Sequence, residues 1–254
     1  MLLAIDLGNT NLTIGLYEGD TLGPHWRLAT DHNRMPDEYG IQLTSLLEHY
    51  NVEHLELSGI VLSSVVPPLT HRIIEACQQY LNKEPLIITP NLKLGITIGY
   101  EDPNAVGADR IADAVAVNTY YGGPACIIDF GTATTFNALT KEGVYLGGAI
   151  TAGLGLSSEA LFSHAAKLPR VELKEPPALI GRNTIHALQS GLVYGYASMV
   201  TGMIERFQKE MGDDIKVIAT GGLVGLIAPH VPAIQIRAPW LTLDGMRILW
   251  ENNH

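Results

Sequence analysis

Short apolar runs alternate with amphipathic segments along the whole chain of 254 residues. In the first half, three strand-like runs precede a helix, after which strands and helices alternate. The predicted strands cover residues 2–6, 12–17, 25–30, 59–66 and 85–89, and the predicted helices begin at Pro36, at about Pro68 and near Gly107. Continuous apolar strands with helices between them are typical of a mostly parallel sheet that is covered on both faces.

The second half repeats this order of elements. Its predicted strands cover residues 125–129, 134–139, 144–150, 216–220 and 233–237, and its last helix begins at about Thr242. We therefore interpret the chain as a duplicated α/β fold, with one domain over residues 1–117 and a second over residues 118–254. The alternative is two unrelated α/β domains that share only hairpin chemistry.

Two stretches, "AIDLGNTN" (4–11) and "IIDFGTAT" (127–134), occupy matching places in the two halves. Each has a carboxylate at the end of a strand, then a glycine and small hydroxyl or amide residues. Such a turn can hold phosphate oxygens with backbone N–H groups, while the carboxylate holds a cation. A plain hairpin turn is the alternative for either copy alone. The second copy favours phosphate binding, although neither a G-x-x-x-x-G-K-[ST] loop nor a G-x-G-x-x-G fingerprint is present.

The segment "GADRIADAV" (107–115) predicts a helix with Asp109 and Arg110 in its first turn. An acid at that position interacts favourably with the helix dipole, which is a sufficient structural reason for it. The functional alternative is that Asp109 accepts a proton from an attacking hydroxyl, while Arg110 binds a carboxylate or phosphate.

A helical pattern of apolar residues extends from Thr184 to Met211, a length of roughly 40 Å at about 1.5 Å per residue. Gly191, Gly195 and Gly202 within it would allow another helix to approach closely. A buried core helix and a dimer interface are equally compatible with this pattern.

Composition narrows the choice of partners and compartment. The net charge of −10 has no basic region to oppose it, which argues against nucleic acid as a partner. Cys77 and Cys126 lie in apolar surroundings, where buried free thiols are expected. The N-terminus lacks the features of a signal peptide, and no apolar stretch approaches the roughly 20 residues of a membrane span. We expect a cytoplasmic protein with no membrane partner.

Several motifs together resemble those of the type III pantothenate kinases. They are "DLGNTN", "GADR", "DFGTATT", "GGAITAG", "IGRNT" with "SGLVYGY", "TGG" and "LTLDGM", in the order and approximate spacing of that family. The resemblance covers essentially the whole chain. It implies duplicated ribonuclease-H-like domains of the actin-like ATPase type, with a nucleotide cleft between them, in the acetate and sugar kinase/Hsp70/actin superfamily. It also implies ATP-dependent phosphorylation of the primary hydroxyl of pantothenate, and a homodimer.

The resemblance also assigns roles to individual residues. Asp109 would be the catalytic base, Asp6 would lie near Mg²⁺, and Asp129 would bind a monovalent cation, K⁺ or NH₄⁺. The residues implied in ATP binding are Asp6, Leu7, Gly8, Asn9, Thr10, Asn11, Leu12, Thr13 and Thr132. Those implied in pantothenate binding are Tyr100, Gly107, Ala108, Asp109, Arg110 and Thr184.

Ala152 departs from the family pattern, which often has proline there, but the change removes no reactive group. Two other functions stay open at this point. One is phosphorylation of a different small molecule by a kinase of the same superfamily. The other is a non-catalytic regulatory role that depends on ATP binding.

Overall fold

The chain is described by a computed structural model that covers residues 1–254, apart from the side chain of His54. It divides into two compact units that are interleaved along the sequence. Residues 1–95, 101–116 and 241–254 form the first unit, and residues 96–100 and 117–240 form the second. The predicted domain boundary between residues 117 and 118 stays a prediction.

Eleven strands and eight α-helices make up the described structure. The strands are β1 (Leu2–Leu7), β2 (Asn11–Glu18), β3 (Thr21–Ala29), β4 (Gly59–Ser64), β5 (Leu86–Ile87), β6 (Thr97–Ile98), β7 (Ala125–Phe130), β8 (Ala133–Leu139), β9 (Val144–Ala152), β10 (Lys216–Thr220) and β11 (Ile236–Arg237). The helices are α1 (Pro36–His49), α2 (Pro67–Leu81), α3 (Ala108–Tyr120), α4 (Leu154–His164), α5 (Thr184–Ser190), α6 (Tyr196–Met211), α7 (Val224–Ile227) and α8 (Leu241–Asn253).

Each unit contains one mixed sheet. The first has the strand order β3-β2-β1-β4-β5 and the second β11-β10-β7-β8-β9-β6. The strands β1 to β3, and likewise β7 to β9, pair antiparallel, whereas β4 and β10 pair parallel to β1 and β7. The prediction of a mostly parallel sheet was therefore wrong, because strands that are joined by short turns must run antiparallel.

The two sheets repeat the same order of five strands, which confirms the predicted duplication. Asp6 lies opposite Thr13 on one side and Ser63 on the other, and Asp129 lies opposite Thr135 and Thr220 in the same way. The first hairpin is one residue longer than the second. The additional strand β6 extends the second sheet and was not predicted, because two residues carry no readable periodicity.

One face of the first sheet packs on α1 and α2. On β2, every second residue from Leu12 to Leu16 is buried in this core. The helices contribute Leu43 and Ile73 to the same core. The opposite face is covered in part by α8, which contacts β1, β2 and β4.

The predicted long helix is present from Thr184 to Met211, with a π-helical turn at Gly191–Gly195 that the sequence did not predict. One face of α6 packs in the core of the second unit through Val200 and Ile204. At Gly191, Gly195 and Gly202, an added Cβ would meet no described atom within 4 Å other than those of its own helical turns. The close approach of a second helix is therefore not found among the described parts of this chain.

Cys77 and Cys126 are free and fully buried, as predicted. Burial raises the pKa of both thiols to about 12, so they are protonated at neutral pH. Among the described residues, no helix is both long enough and apolar enough to cross a membrane.

Candidate active site

Asp6 is the last residue but one of β1, and its side chain lies on the face of the first sheet that is opposite to the α1 and α2 core. Ser63 on β4 is fully buried, and its hydroxyl donates a hydrogen bond of 2.9 Å to Asp6 Oδ1. Burial, followed by the negative charge of Asp109, raises the pKa of Asp6 to about 7, while Ser63 and Arg27 act in the opposite direction. The carboxylate is therefore close to its own titration point near neutral pH, and a bound cation would favour its ionised form.

Asp109 lies in the first turn of α3, near enough to Asp6 for the two charges to interact. The backbone N–H of Arg110 donates a hydrogen bond of 2.8 Å to Asp109 Oδ1. Burial raises the pKa of the Asp109 carboxyl, although this hydrogen bond and the Arg110 charge oppose the shift. A carboxyl whose pKa is raised is a stronger base once it is ionised, so this environment suits proton acceptance.

Gly107 leaves the space that the Asp109 carboxylate occupies. A Cβ at residue 107 would lie 2.5 Å from Asp109 Oδ1 and 3.4 Å from Val65 Cγ1. Any larger residue at position 107 would therefore displace the carboxylate. The "GADR" motif thus has a structural reason for its glycine as well as for its acid.

The turn after Asp6 is a β-hairpin, so the plain-turn alternative describes its backbone correctly. The Gly8 N–H donates to Asn11 O over 3.0 Å. From the end of β3, Thr30 fastens the turn by donating its hydroxyl to Gly8 O over 2.7 Å and its N–H to Thr10 O over 2.9 Å. Asn9, Thr10 and Asn11 are exposed. A fixed turn with exposed amide and hydroxyl groups is compatible with phosphate binding.

The second unit contains the matching element around Asp129. Gly221 has a φ of +91°, and a Cβ there would collide with Asp129 Oδ1. Gly153 packs against the backbone of Gly131 and Thr132 and donates its N–H to Thr132 O over 3.1 Å. Glycines on two other segments therefore shape the turn of residues 131–133.

Tyr196, the first residue of α6, also contacts this element. Its hydroxyl is hydrogen-bonded to Thr134 Oγ1 and lies 3.4 Å from Ala152 O. Burial raises the pKa of Tyr196, and the charge of Asp129 raises it further, whereas the bond to Thr134 lowers it. The helix after the π-helical turn is thereby fixed to the start of β8 and the end of β9.

Two more of the predicted site residues lie in the second unit. Tyr100 follows β6, is 36% exposed, and its ring lies 6.5 Å from the ring of Tyr145. Thr184 is the exposed first residue of α5, whose N-terminus is capped by Asn183 through a hydrogen bond of 2.8 Å from the His186 N–H. Both side chains are accessible to a ligand.

The carboxylates of the first unit fit a magnesium ion that is shared with phosphates. Over the described residues, no group of three or more His, Cys, Asp or Glu side chains could hold a metal ion by itself. Mg²⁺ in kinase sites is usually bound by one or two carboxylates, with water and substrate phosphates as the other ligands. Asp6, with its second oxygen not used by Ser63, meets that requirement.

Comparison with known proteins identifies the family of this chain. The family model of type III pantothenate kinase matches residues 2–206. A type III pantothenate kinase from Moorella thermoacetica is 51% identical over 253 residues, which covers 100% of both chains. One from Myxococcus xanthus is 47% identical over 254 residues, which covers 100% of this chain and 99% of the relative.

This chain belongs to the type III pantothenate kinase family. Solved structures also match the fold. A ROK-family glucokinase from Streptomyces griseus has a TM-score of 0.60 at 10% identity, covering 98% of both chains. An inorganic polyphosphate/ATP-glucomannokinase from Arthrobacter has a TM-score of 0.55 at 15% identity, covering 100% of this chain and 99% of the other. The predicted duplicated fold of the actin-like ATPase type is thus confirmed.

For this pantothenate kinase chain, the structure brings together only part of the predicted site. Asp6 and Asp109 interact electrostatically within the first unit, in which the turn of residues 8–11 and Arg110 also lie. The other predicted site residues, Asp129, Thr132, Tyr100 and Thr184, belong to the second unit. Their predicted ligand contacts stay predictions.

Sequence reasoning missed three residues that act on Asp6 or on the turn after it. Ser63 and Thr30 act through hydrogen bonds, and Arg27 acts through its charge. The only indication of Ser63 in the sequence was a hydroxyl residue near the end of the apolar run "GIVLSSVV". The other two gave no signal without the register of the strands.

Replacing Gly221 with alanine is expected to lower the free energy of unfolding by at least about 2 kcal/mol, since alanine is strained at a positive φ and its Cβ would displace Asp129. Urea denaturation of the purified protein measures this. The matched control is Gly225→Ala, because no described atom lies within 4 Å of a Cβ at that helical position. Equal stability of the two variants would contradict the proposed role of Gly221.

Proposed function

We propose that this chain transfers the γ-phosphoryl group of ATP to the primary hydroxyl of pantothenate and forms 4′-phosphopantothenate, the first step of coenzyme A biosynthesis. The observation that carries the proposal is full-length similarity to type III pantothenate kinases, at 51% identity to one of them. The desolvated carboxylates Asp6 and Asp109 support the reaction type, since phosphoryl transfer needs charge neutralisation and a correctly placed base.

Asp109 is the base in this mechanism. The pantothenate hydroxyl attacks the γ-phosphorus, its proton moves to the Asp109 carboxylate, and ADP leaves as the bond between the β–γ bridging oxygen and the γ-phosphorus breaks. The hydrogen bond from the Arg110 N–H holds one carboxylate oxygen, so the other can accept the proton. Positioning of the reactants supplies much of the rate enhancement in phosphoryl transfer. The fixed position of Asp109 at the start of α3 therefore matters as much as the basicity of its carboxylate.

Asp6 would hold the magnesium ion, which when bound would supply positive charge against the phosphates of ATP. The hydrogen bond from Ser63 fixes the carboxylate for this task. The exposed residues Asn9, Thr10 and Asn11 of the turn bind the phosphate oxygens. The flanking Leu7 and Leu12 are buried and anchor the turn in the core, and Thr132 contributes to ATP binding from the second Asp-Gly element.

Pantothenate is bound by the segment from Gly107 to Arg110, with further contacts from Tyr100 and Thr184. Its carboxylate is the partner for Arg110, whose guanidinium can make two parallel hydrogen bonds to such a group. Arg110 is only 7% exposed, which fits an anion that becomes largely desolvated on binding.

Asp129 binds a monovalent cation, K⁺ or NH₄⁺. The carboxylate lies next to Gly131 and Gly221, which leave room beside its oxygens.

Replacing Asp129 with alanine is expected to abolish the activation by K⁺, because the cation loses its charged ligand. Initial rates with and without K⁺ measure this. Activation by K⁺ of the same size in the variant as in the unaltered enzyme would assign the cation to other residues.

The chain forms a homodimer in the cytoplasm and has neither nucleic acid nor membrane as a partner. Large apolar side chains of the second unit that are exposed in the single chain support dimerisation, since a second copy packed on them would remove their apolar surface from water. They are Leu156, Leu161, Phe162, Leu179, Ile180 and Ile185. Light scattering measures the molar mass of the purified protein in solution. Twice the mass of one chain would support the homodimer, and the mass of one chain would contradict it.

An acceptor panel separates this function from its two alternatives. Purified protein with ATP, Mg²⁺ and K⁺ is offered pantothenate, glucose, acetate and glycerol, and ADP release is followed. Of the four acceptors, we expect only pantothenate to stimulate ADP release. Stimulation by another acceptor would indicate a different kinase of the superfamily, and ATP binding without any stimulation would indicate the non-catalytic regulator.

A further inference from the structure

Four polar side chains form a continuous row across the first sheet. Strand register places Ser63 on β4 opposite Asp6 on β1, Asp6 opposite Thr13 on β2, and Thr13 opposite Arg27 on β3. Residues that are directly opposite in a sheet have their side chains on the same face. The row therefore starts at the buried Ser63 and ends at the exposed Arg27 at the edge of the sheet.

The face that carries this row is accessible to solvent at Arg27. The neighbours of Arg27 along β3, Trp26 and Leu28, pack against the apolar core on the opposite face. Farther along β2, α8 covers the sheet, since Leu243 fills the space in front of Gly15. Thr13 and Arg27 lie nearer to the turn of residues 8–11 than this covered position does.

Arg27 lies two strands away from the proposed magnesium ligand Asp6, with Thr13 between them in the same row. The turn of residues 8–11 joins the two central strands of the same row. A guanidinium at this place lies on the same side of the sheet as the proposed magnesium ligand and beside the proposed phosphate turn. Arginine binds phosphate through two parallel charge-assisted hydrogen bonds. Lysine, with a single point charge, does not offer this geometry.

We propose that Arg27 binds the phosphate chain of the nucleotide beside Asp6. This inference rests on the proposed function in one respect, that the first unit binds ATP. Arg27 supplies a fixed positive charge for an anionic phosphate chain, in a protein whose net charge is −10. It is a ligand-binding residue and takes no proton in the reaction.

Isothermal titration calorimetry on the full chain tests this without any need for turnover. Mg–ATP and adenosine are titrated separately, without pantothenate, into the unaltered protein and into Arg27→Gln, Arg27→Lys and His25→Gln. His25 is the matched control, because it is exposed on the same strand and the same face as Arg27. It pairs with Gly15, whereas Arg27 pairs with Thr13, so His25 is farther from Asp6. Thermal melting without nucleotide verifies that all variants fold.

Arg27→Gln is expected to raise the Kd for Mg–ATP roughly 10- to 100-fold, the usual effect of losing charge-assisted hydrogen bonds. Adenosine affinity should change less than about twofold, Arg27→Lys should recover part of the loss, and His25→Gln should bind as the unaltered protein does. Unchanged ATP affinity in Arg27→Gln, or an equal loss for ATP and adenosine, would overturn the proposal. Normal ATP binding by the unaltered protein without pantothenate phosphorylation would instead refute the proposed function and leave Arg27 assigned.

Discussion

Replacing Asp109 with asparagine is expected to lower kcat for pantothenate phosphorylation by about 10²- to 10⁴-fold, the usual contribution of a general base. Asparagine keeps the shape and can still accept the hydrogen bond from the Arg110 N–H, but it cannot take the proton of the attacking hydroxyl. The affinity for Mg–ATP should change only a few-fold. Steady-state kinetics and calorimetry measure the two quantities separately.

The pH dependence of the unaltered enzyme gives a second test of Asp109. Since burial raises the pKa of this carboxyl, the acidic limb of kcat at saturating Mg–ATP, where the bound metal keeps Asp6 ionised, should lie above the ordinary carboxyl range, with activity rising as Asp109 ionises. The control is Asp213→Asn, which changes an exposed carboxylate in a loop after α6. Turnover of Asp109→Asn at the rate of that control would refute the assignment of the base.

Replacing Asp6 with asparagine is expected to abolish turnover and to stabilise the ligand-free protein at pH 8. Because the folded pKa of about 7 exceeds the ordinary value of 3.8, the unfolded chain loses its proton first as pH rises. The ionisation therefore destabilises the fold progressively from about pH 4 to pH 7, by up to about 4 kcal/mol. Asparagine cannot ionise, so the variant escapes this loss.

Urea denaturation without metal or nucleotide, at pH 5 and at pH 8, measures the effect. The gain from Asp6→Asn should be larger at pH 8, whereas Asp20→Asn, at an exposed turn, should give no such difference. Equal or lower stability of Asp6→Asn at pH 8 would mean that the desolvated carboxylate carries no penalty. The gain in stability together with the loss of activity would show that Asp6 is retained for function.

The parts of the fold that were predictable from sequence are those with local patterns. The apolar runs ending at Asp6 and Asp129, each followed by glycine, placed both hairpins, and their matching positions indicated the duplication. The predicted helices at Pro36 and after Gly107 begin where the structure has them. The family motifs then supplied the roles that no pattern of hydrophobicity contains.

What the sequence did not yield depends on register and on contacts between distant segments. Ser63 contacts Asp6 across 57 positions of the chain, and Arg27 reaches the same row only through the pairing of β2 with β3. The grouping of the last helix with the first unit has the same origin. The π-helical turn at Gly191–Gly195 was missed because the apolar spacing of an α-helix continues on both sides of it.

The proposed phosphorylation of pantothenate is tested most directly by the mass spectrum of the products that the purified protein forms from pantothenate, ATP, Mg²⁺ and K⁺. The position of the phosphate is located by ³¹P nuclear magnetic resonance. We predict a product with one phosphate on the primary hydroxyl, formed in equal amount with ADP, and at most a trace of it from the Asp109→Asn variant under the same conditions. ADP release without a phosphorylated pantothenate would contradict the proposed activity.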